Sequence, residues 1–126
     1  MKHDILAILN DIEDSISKVK EYVKNIDYND YVESTIVQDA VERRFEIIGE
    51  AVSRLKKEYP NEFKKISFGE QVITTRHKVI HDYDRVDSSI IFQSTGADLD
   101  LLKEEIIKIQ NSQHQETPNK RRGIKR

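Results

Sequence analysis

The chain has 126 residues, of which 35% are charged and 37% apolar, with nine aromatic residues and no tryptophan. Four glycines and two prolines supply little of the turn chemistry that an all-β fold needs. The absence of cysteine excludes disulfides, thiol nucleophiles and cysteine-ligated metals. The longest apolar run, residues 5–9, is far shorter than the roughly 20 residues that cross a bilayer, and no secretory signal is recognisable. We therefore expect one soluble, cytoplasmic, mostly helical domain.

The net charge of −2 hides an asymmetry along the chain. Residues 113–126 hold five Lys or Arg against one Glu, whereas residues 1–112 hold 16 basic and 22 acidic residues, a net charge of −6. Affinity for nucleic acid comes largely from cationic contacts to phosphate. The acidic body, residues 1–112, is therefore poorly suited to general binding of RNA or DNA. We divide the chain into a helical domain at 1–112 and a basic, flexible tail at 113–126.

The first predicted helix spans about residues 4–25. Its apolar residues recur at alternating spacings of four and three, which is the period of a helix packed in a bundle. These residues are Ile5, Leu9, Ile12, Ile16, Val19, Val23 and Ile26.

A second helix is predicted from residue 30 or 31 to residue 58, because Pro60 disfavours helix at the residue before it. Its apolar residues form two adjacent stripes, which indicates contact with more than one neighbouring helix. Gly49 and Ala51 are small enough to let one neighbour approach closely. Asp27 and Asp30, with the tyrosines beside them, are expected only to cap the junction between the first two helices.

A third helix is predicted over residues 68–81, followed by a turn at 82–86. A fourth begins at residue 87 or 88, with Gly96 as a weak point where it could kink or break. A further short helix could lie near residues 62–65. The predicted architecture is an all-α, antiparallel four-helix bundle.

Polar chemistry concentrates at the end of the third helix, where Arg76, His77, Lys78 and His81 fall within six residues. One interpretation is metal binding, because His77 and His81 are four residues apart and share a helical face, as in zinc proteases. However, Lys78 stands where a zinc protease has its glutamate base. A third ligand would have to come from an aspartate of the following turn.

A second interpretation is phosphoryl transfer without a metal. His81 would accept the proton of an RNA 2′-hydroxyl, and Arg76 would bind the phosphate and offset charge in the transition state. The two residues lie about 140° apart around an ideal helix and about 7.5 Å apart along it, so they converge poorly within one subunit. That geometry predicts a turn near His81 or a composite site at a dimer interface. A third interpretation is purely structural, with these side chains capping carbonyls and pairing with nearby aspartates.

Two segments resemble the HepT-like (DUF86) branch of the HEPN superfamily. One is the pattern Arg76-x4-His81-x-Tyr83, followed by Asp-Arg-Val-Asp at 84–87, and the other is the stretch at 40–51 that ends in Ile-Gly-Glu-Ala. The resemblance covers roughly residues 1–110. It implies a small helical homodimer, the toxin of a type VII toxin–antitoxin pair, with metal-independent endoribonuclease activity and no cofactor.

The resemblance also implies roles for individual residues. Arg76 and His81 match the catalytic pair, and a minimal nucleotidyltransferase antitoxin of the MntA type would attach AMP to Tyr83. His77 departs from the family pattern, which has Asn at that position, and we expect it to hold phosphate or to change the pH profile of cleavage. Glu50 would orient the Arg76 guanidinium if it lay close, although an ion pair with another basic residue is the alternative.

Two other functions compete with the ribonuclease hypothesis. A non-catalytic helical dimer that binds and regulates a nucleotidyltransferase is favoured by the acidic body, which opposes the approach of RNA. A metal hydrolase that uses His77 and His81 would lose its activity to a chelator.

Overall fold

A computed structural model describes the backbone of residues 2–81 and 87–125 and the side chains of residues 2–79 and 87–113. The described residues form seven helices and no strand, which confirms the all-α prediction. None of these helices combines the length and the apolar composition that a bilayer crossing requires. The helices are α1 (Ile5–Tyr22), α2 (Tyr28–Glu33), α3 (Thr35–Glu58), α4 (Pro60–Phe63), α5 (Gly69–His81), α6 (Ser88–Ser94) and α7 (Ala97–Lys125).

The four longest helices build the bundle. Helix α1 packs against α3 and α7, while α5 packs against α3. Neighbours run antiparallel, since Lys20 on α1 pairs with Asp100 early in α7, and Lys56 late in α3 pairs with Glu70 at the start of α5. Each fully buried aliphatic side chain contributes about 1.5–3 kcal/mol to folding. The core of α1, α3 and α7 includes Leu9, Ile12, Ile16, Val19, Val41, Ile48, Val52, Leu55, Leu102, Ile106 and Ile109.

The junction between α1 and α3 contains a helix of its own, which corrects the expectation that it only caps its neighbours. Asp27 and Asp30 form a reciprocal capping box that starts α2, with N–H···O distances of 2.9 and 3.0 Å. Ser34 ends α2 and caps α3, where its hydroxyl accepts from the Val37 N–H. Tyr31 is fully buried and therefore belongs to the core.

The predicted break at Gly96 and the predicted short extra helix are both confirmed. Helix α6 ends at Ser94 and α7 starts at Ala97, so the break falls on Gly96. The short extra helix is α4, which starts two residues before the predicted site because Pro60 occupies its first turn. The predicted turn at 82–86 lies outside the described residues.

Helix α7 is the longest helix of the chain's described part. Among its described side chains, Gln110 is the last buried one, and its amide donates to Asn10 at 3.0 Å and to Glu13 at 3.1 Å on α1. The backbone stays helical to Lys125, through most of the segment that was predicted to be a flexible tail. The boundary at residue 113 and the flexibility of the tail stay predictions.

Candidate functional site

The site is built where α5 crosses α3, and Gly49 of α3 is the point of closest approach. A β-carbon on Gly49 would overlap Cβ of Arg76 and would lie 3.0 Å from its Cγ and its Cδ. Only a residue without a side chain allows this crossing. The predicted close approach at Gly49 is therefore confirmed, and the neighbour is the helix that carries Arg76.

Arg76 is half-buried against that glycine, and its Nε is enclosed without a hydrogen-bond partner. Buried N–H groups are almost always paired, because leaving one unpaired costs about 1–3 kcal/mol. No carboxylate among the described side chains forms an ion pair with Arg76. Because the residue is only half-buried and no described carboxylate pairs with it, the terminal nitrogens of this guanidinium are suited to bind an anion from outside the protein.

The other predicted site residues lie around Arg76 on the same helix or beyond it. His77 and Lys78 are exposed on α5. His81 is the last residue of α5, so Arg76 and His81 share one helix, as the spacing argument assumed. The side chain of His81 and the whole of Tyr83 lie outside the described residues.

Glu50 lies next to Gly49 on α3, but its carboxylate is exposed and pairs with Arg54 at 3.4 Å, one turn along the same helix. Glu46 pairs in the same way with Arg43, at 3.1 Å. The Glu50–Arg54 pair confirms the alternative of an ion pair with another basic residue. An orienting role of Glu50 toward Arg76 stays a prediction.

A cleft of about 350 Å³ opens between α3, α5 and α7, next to the crossing. Thr75 lines it, whereas Arg76, His77 and Glu50 do not. Its walls are mostly apolar and include Phe45, Ile48, Phe68, Val72, Leu99 and Leu102. Arg76 and His77 thus lie outside this cleft.

The metal interpretation of His77 and His81 is not decided by the structure. Among the residues whose side chains are described, no three His, Asp or Glu groups gather around a point where an ion could bind. His81 lies outside that set, as do the aspartates at 82 and 84.

The sequence predicted a close approach at Gly49 but not the residue that approaches. The structure shows that this residue is Arg76. The sequence signal was a glycine in the interior of a 24-residue helix. Glycine lowers helix stability there by about 1 kcal/mol relative to alanine, so its presence indicates a packing requirement.

Comparison with known proteins places these features in a family. The sequence profile of the ribonuclease HepT-like family matches residues 12–109, which include the Gly49–Arg76 crossing and the end of α5. A Methanocaldococcus jannaschii protein named "Gamma-glutamylcyclotransferase and putative RNase" is 36% identical over 95% of this chain, but the chain spans only 54% of that protein. A second protein of that organism, named "Putative RNase", is 32% identical over 83% of this chain and 95% of its own length.

A third relative comes from Thermococcus cleftensis and is named "Probable ribonuclease HepT". It is 32% identical over 82% of this chain and 93% of its own length. No solved structure matches the chain significantly. Because the family profile covers most of the chain and these relatives are more than 30% identical to it, the chain belongs to the ribonuclease HepT-like family.

Proposed function

We propose that the chain is a metal-independent endoribonuclease and the toxin of a type VII toxin–antitoxin system. The observation that carries this proposal is the Arg76 guanidinium, which is held by the contact with Gly49, pairs with no described carboxylate and lies five residues before His81 on the same helix. A fixed cation of this kind is suited to phosphate recognition. The relatives named "Putative RNase" and "Probable ribonuclease HepT" support the same substrate class.

In the proposed reaction, His81 removes the proton from a 2′-hydroxyl of the RNA. The 2′-oxygen then attacks the adjacent phosphorus, a new P–O2′ bond forms, and the P–O5′ bond breaks. The products are a 2′,3′-cyclic phosphate and a 5′-hydroxyl, with the departing oxygen taking a proton from a protonated imidazole or from water. Arg76 binds the non-bridging oxygens, where negative charge increases in the transition state.

A homodimer is part of the proposal. Arg76 and His81 are separated by about 140° around α5, so one subunit presents the two residues to different sides of its helix. A second copy that brings its own α5 alongside would set the Arg76 of one subunit opposite the His81 of the other. His77 and Lys78, next to Arg76 on α5, are exposed, so this stretch of the helix is accessible to a second copy.

The proposed partner is a nucleotidyltransferase of the MntA type that attaches AMP to Tyr83 in the cytoplasm. Tyr83 follows His81 by two residues, so each attached AMP would add a phosphodiester charge beside the proposed base. A bound adenylate would then compete with RNA for Arg76. Neutralisation would therefore act through occupation of the site rather than through unfolding.

His77 supports phosphate binding in this proposal. It is exposed on α5 next to Arg76, and its imidazole can donate a hydrogen bond to a phosphate oxygen. An asparagine there would keep hydrogen-bonding capacity. We therefore expect His77→Asn to retain activity.

The decisive experiment compares purified wild type with His81→Ala, Arg76→Ala and His77→Asn on a single-stranded RNA. Wild type and His77→Asn should cleave it, with and without EDTA, and should arrest growth when expressed. His81→Ala and Arg76→Ala should lose at least about 100-fold in rate. Undiminished toxicity of the His81→Ala protein would refute the catalytic assignment, and loss of activity to EDTA would favour a metal hydrolase.

The competing function is a non-catalytic helical dimer that regulates a nucleotidyltransferase. The observation in its favour is the net charge of −6 on residues 1–112, which repels RNA. Intact-mass measurement first identifies protein that carries no AMP. Binding and cleavage assays on that unmodified protein then distinguish the two functions. If that unmodified protein binds the nucleotidyltransferase but cleaves no RNA, the regulatory function replaces the ribonuclease.

A further inference from the structure

Resting on the proposed function, we infer that Gly49 is a positioning residue for the reaction. It sets the depth at which α5 lies on α3, and through that depth it sets the location of the Arg76 guanidinium. The inference depends on the close packing of the Gly49 backbone, which carries no side chain, against the Cβ, Cγ and Cδ atoms of Arg76.

The contact involves the stem of the arginine rather than its mobile end. Cβ of Arg76 is fixed by the backbone of α5, so it cannot swing aside as the tip of a long side chain could. A methyl group at position 49 therefore forces α5 away from α3. This movement opens the enclosure around Nε and displaces the guanidinium.

Proper placement matters because Nε has no protein partner to hold it. A salt-bridged arginine is oriented by its carboxylate, whereas no carboxylate among the described side chains pairs with Arg76, so within that part of the chain its location depends on packing around its stem. A displacement of about 1 Å between a catalytic group and its substrate can reduce a rate by about 100-fold. Gly49 thus supplies the orientation that a carboxylate supplies elsewhere.

Two other glycines provide matched controls. A β-carbon on Gly69 would lie 2.6 Å from Cε1 and 2.7 Å from Cζ of Phe63, which is the end of a side chain that can rotate away. A β-carbon on Gly96 would meet only the Gln93 carbonyl oxygen at 3.5 Å, an ordinary contact. Gly69→Ala therefore perturbs packing at the start of α5 without touching Arg76, and Gly96→Ala perturbs nothing.

The test compares Gly49→Ala, Gly69→Ala and Gly96→Ala with wild type. For Gly49→Ala, kcat on a single-stranded RNA should fall by about 10- to 100-fold with KM changed far less. The two control variants should keep kcat within about twofold of wild type. In an Arg76→Ala background, Gly49→Ala should cause no further loss of activity, because the group that it positions is already gone.

A second readout does not depend on cleavage. The ¹H–¹⁵N signal of Arg76 Nε–H should exchange slowly in wild type and shift on addition of inorganic phosphate, and Gly49→Ala should abolish both properties. If wild type cleaves no RNA, the proposed function fails while this signal still decides the role of Gly49. A Gly49→Ala protein with wild-type kcat or an unchanged Nε–H signal would overturn the inference. So would an equal loss of kcat in Gly69→Ala, because it would show a general packing effect.

Discussion

The ammonium group of Lys20 on α1 donates to the carbonyl oxygen of Thr95 at 2.9 Å, and so caps the end of α6 from across the bundle. The same ammonium lies 2.9 Å from a carboxylate oxygen of Asp100 in the first turn of α7. One cation thereby joins three helices at the break around Gly96. This contact compensates for the helical hydrogen bonds that the break interrupts.

We expect Lys20→Met to lower the free energy of unfolding by about 1 kcal/mol, because it removes a cap and a partly shielded ion pair while keeping the aliphatic stem. Urea unfolding measures the change. Lys18→Met is the matched control, since Lys18 makes only an exposed pair with Asp14 on the same helix. Equal losses in the two variants would show that the α6 cap contributes nothing.

Tyr31 should tolerate loss of its hydroxyl but not of its ring. The ring is fully buried and lies 5.2 Å from the Phe92 ring, joining α2 to α6, while its hydroxyl has no hydrogen-bond partner. Burial raises the pKa of Tyr31, and nearby Glu42 raises it further, so the group stays neutral.

We expect Tyr31→Phe to leave the free energy of unfolding unchanged or to raise it by up to about 1 kcal/mol, because an unpaired polar group is removed. Tyr31→Ala should lower it by about 3 kcal/mol through loss of the ring. Tyr28→Ala is the control, since Tyr28 also contacts Phe92 but is 41% exposed. A large destabilisation by Tyr31→Phe would show that the hydroxyl has a partner in solution.

Stability at acidic pH should depend on Glu58. Its carboxylate accepts from the backbone N–H of His3 and lies 2.8 Å from the His3 Nδ1, and these contacts lower its pKa below the usual 4.5. The unfolded chain therefore takes up this proton at a higher pH than the folded chain does. The stabilisation is complete above about pH 4.5 and is lost as the pH falls through the lowered pKa.

Urea unfolding of wild type and Glu58→Gln at several pH values tests this expectation. Wild type should be the more stable protein at pH 6, and the difference should shrink to nothing toward pH 3. A difference that stays constant across this range would mean that the glutamate acts through its shape rather than through its charge.

Glu50→Gln and Arg54→Gln should behave alike if the ion pair between them is all that Glu50 does. We expect each to change the free energy of unfolding by less than about 0.5 kcal/mol, because the pair is exposed on one helix face. Cleavage rates for the two variants provide the second comparison. A clearly lower kcat for Glu50→Gln alone would assign to Glu50 the orienting role toward Arg76.

The basic tail should contribute to RNA affinity without contributing sequence preference. Replacing Lys120, Arg121 and Arg122 by glutamine should reduce the slope of log Kd against log salt by about two, because single strands give about 0.7 per neutralised phosphate. Fluorescence anisotropy with a labelled oligoribonucleotide at four salt concentrations measures that slope. The control replaces three exposed lysines of the body, Lys18, Lys24 and Lys108. An equal change in both proteins would show that the tail has no special role.

The order and the ends of the long helices were largely predictable because they depend on local chemistry. The spacing of Leu9, Ile12, Ile16 and Val19 predicted the buried face of α1, and each of these side chains is fully covered. Pro60 predicted the end of α3. The start of α3 was less predictable, because Asp27 and Ser34 each cap a separate helix within eight residues.

By itself, the sequence determined the helical bundle, the family and the residues Arg76 and His81 as candidates, since periodicity and motif spacing are written along the chain. Only the tertiary structure decided that Arg76 rests on Gly49 and that its Nε lacks a partner. Those facts depend on where α5 crosses α3, which is the summed result of packing between residues far apart in sequence. One-dimensional spacing showed that Gly49 permits a close approach, and the assembled bundle showed that the approaching group is the proposed phosphate-binding arginine.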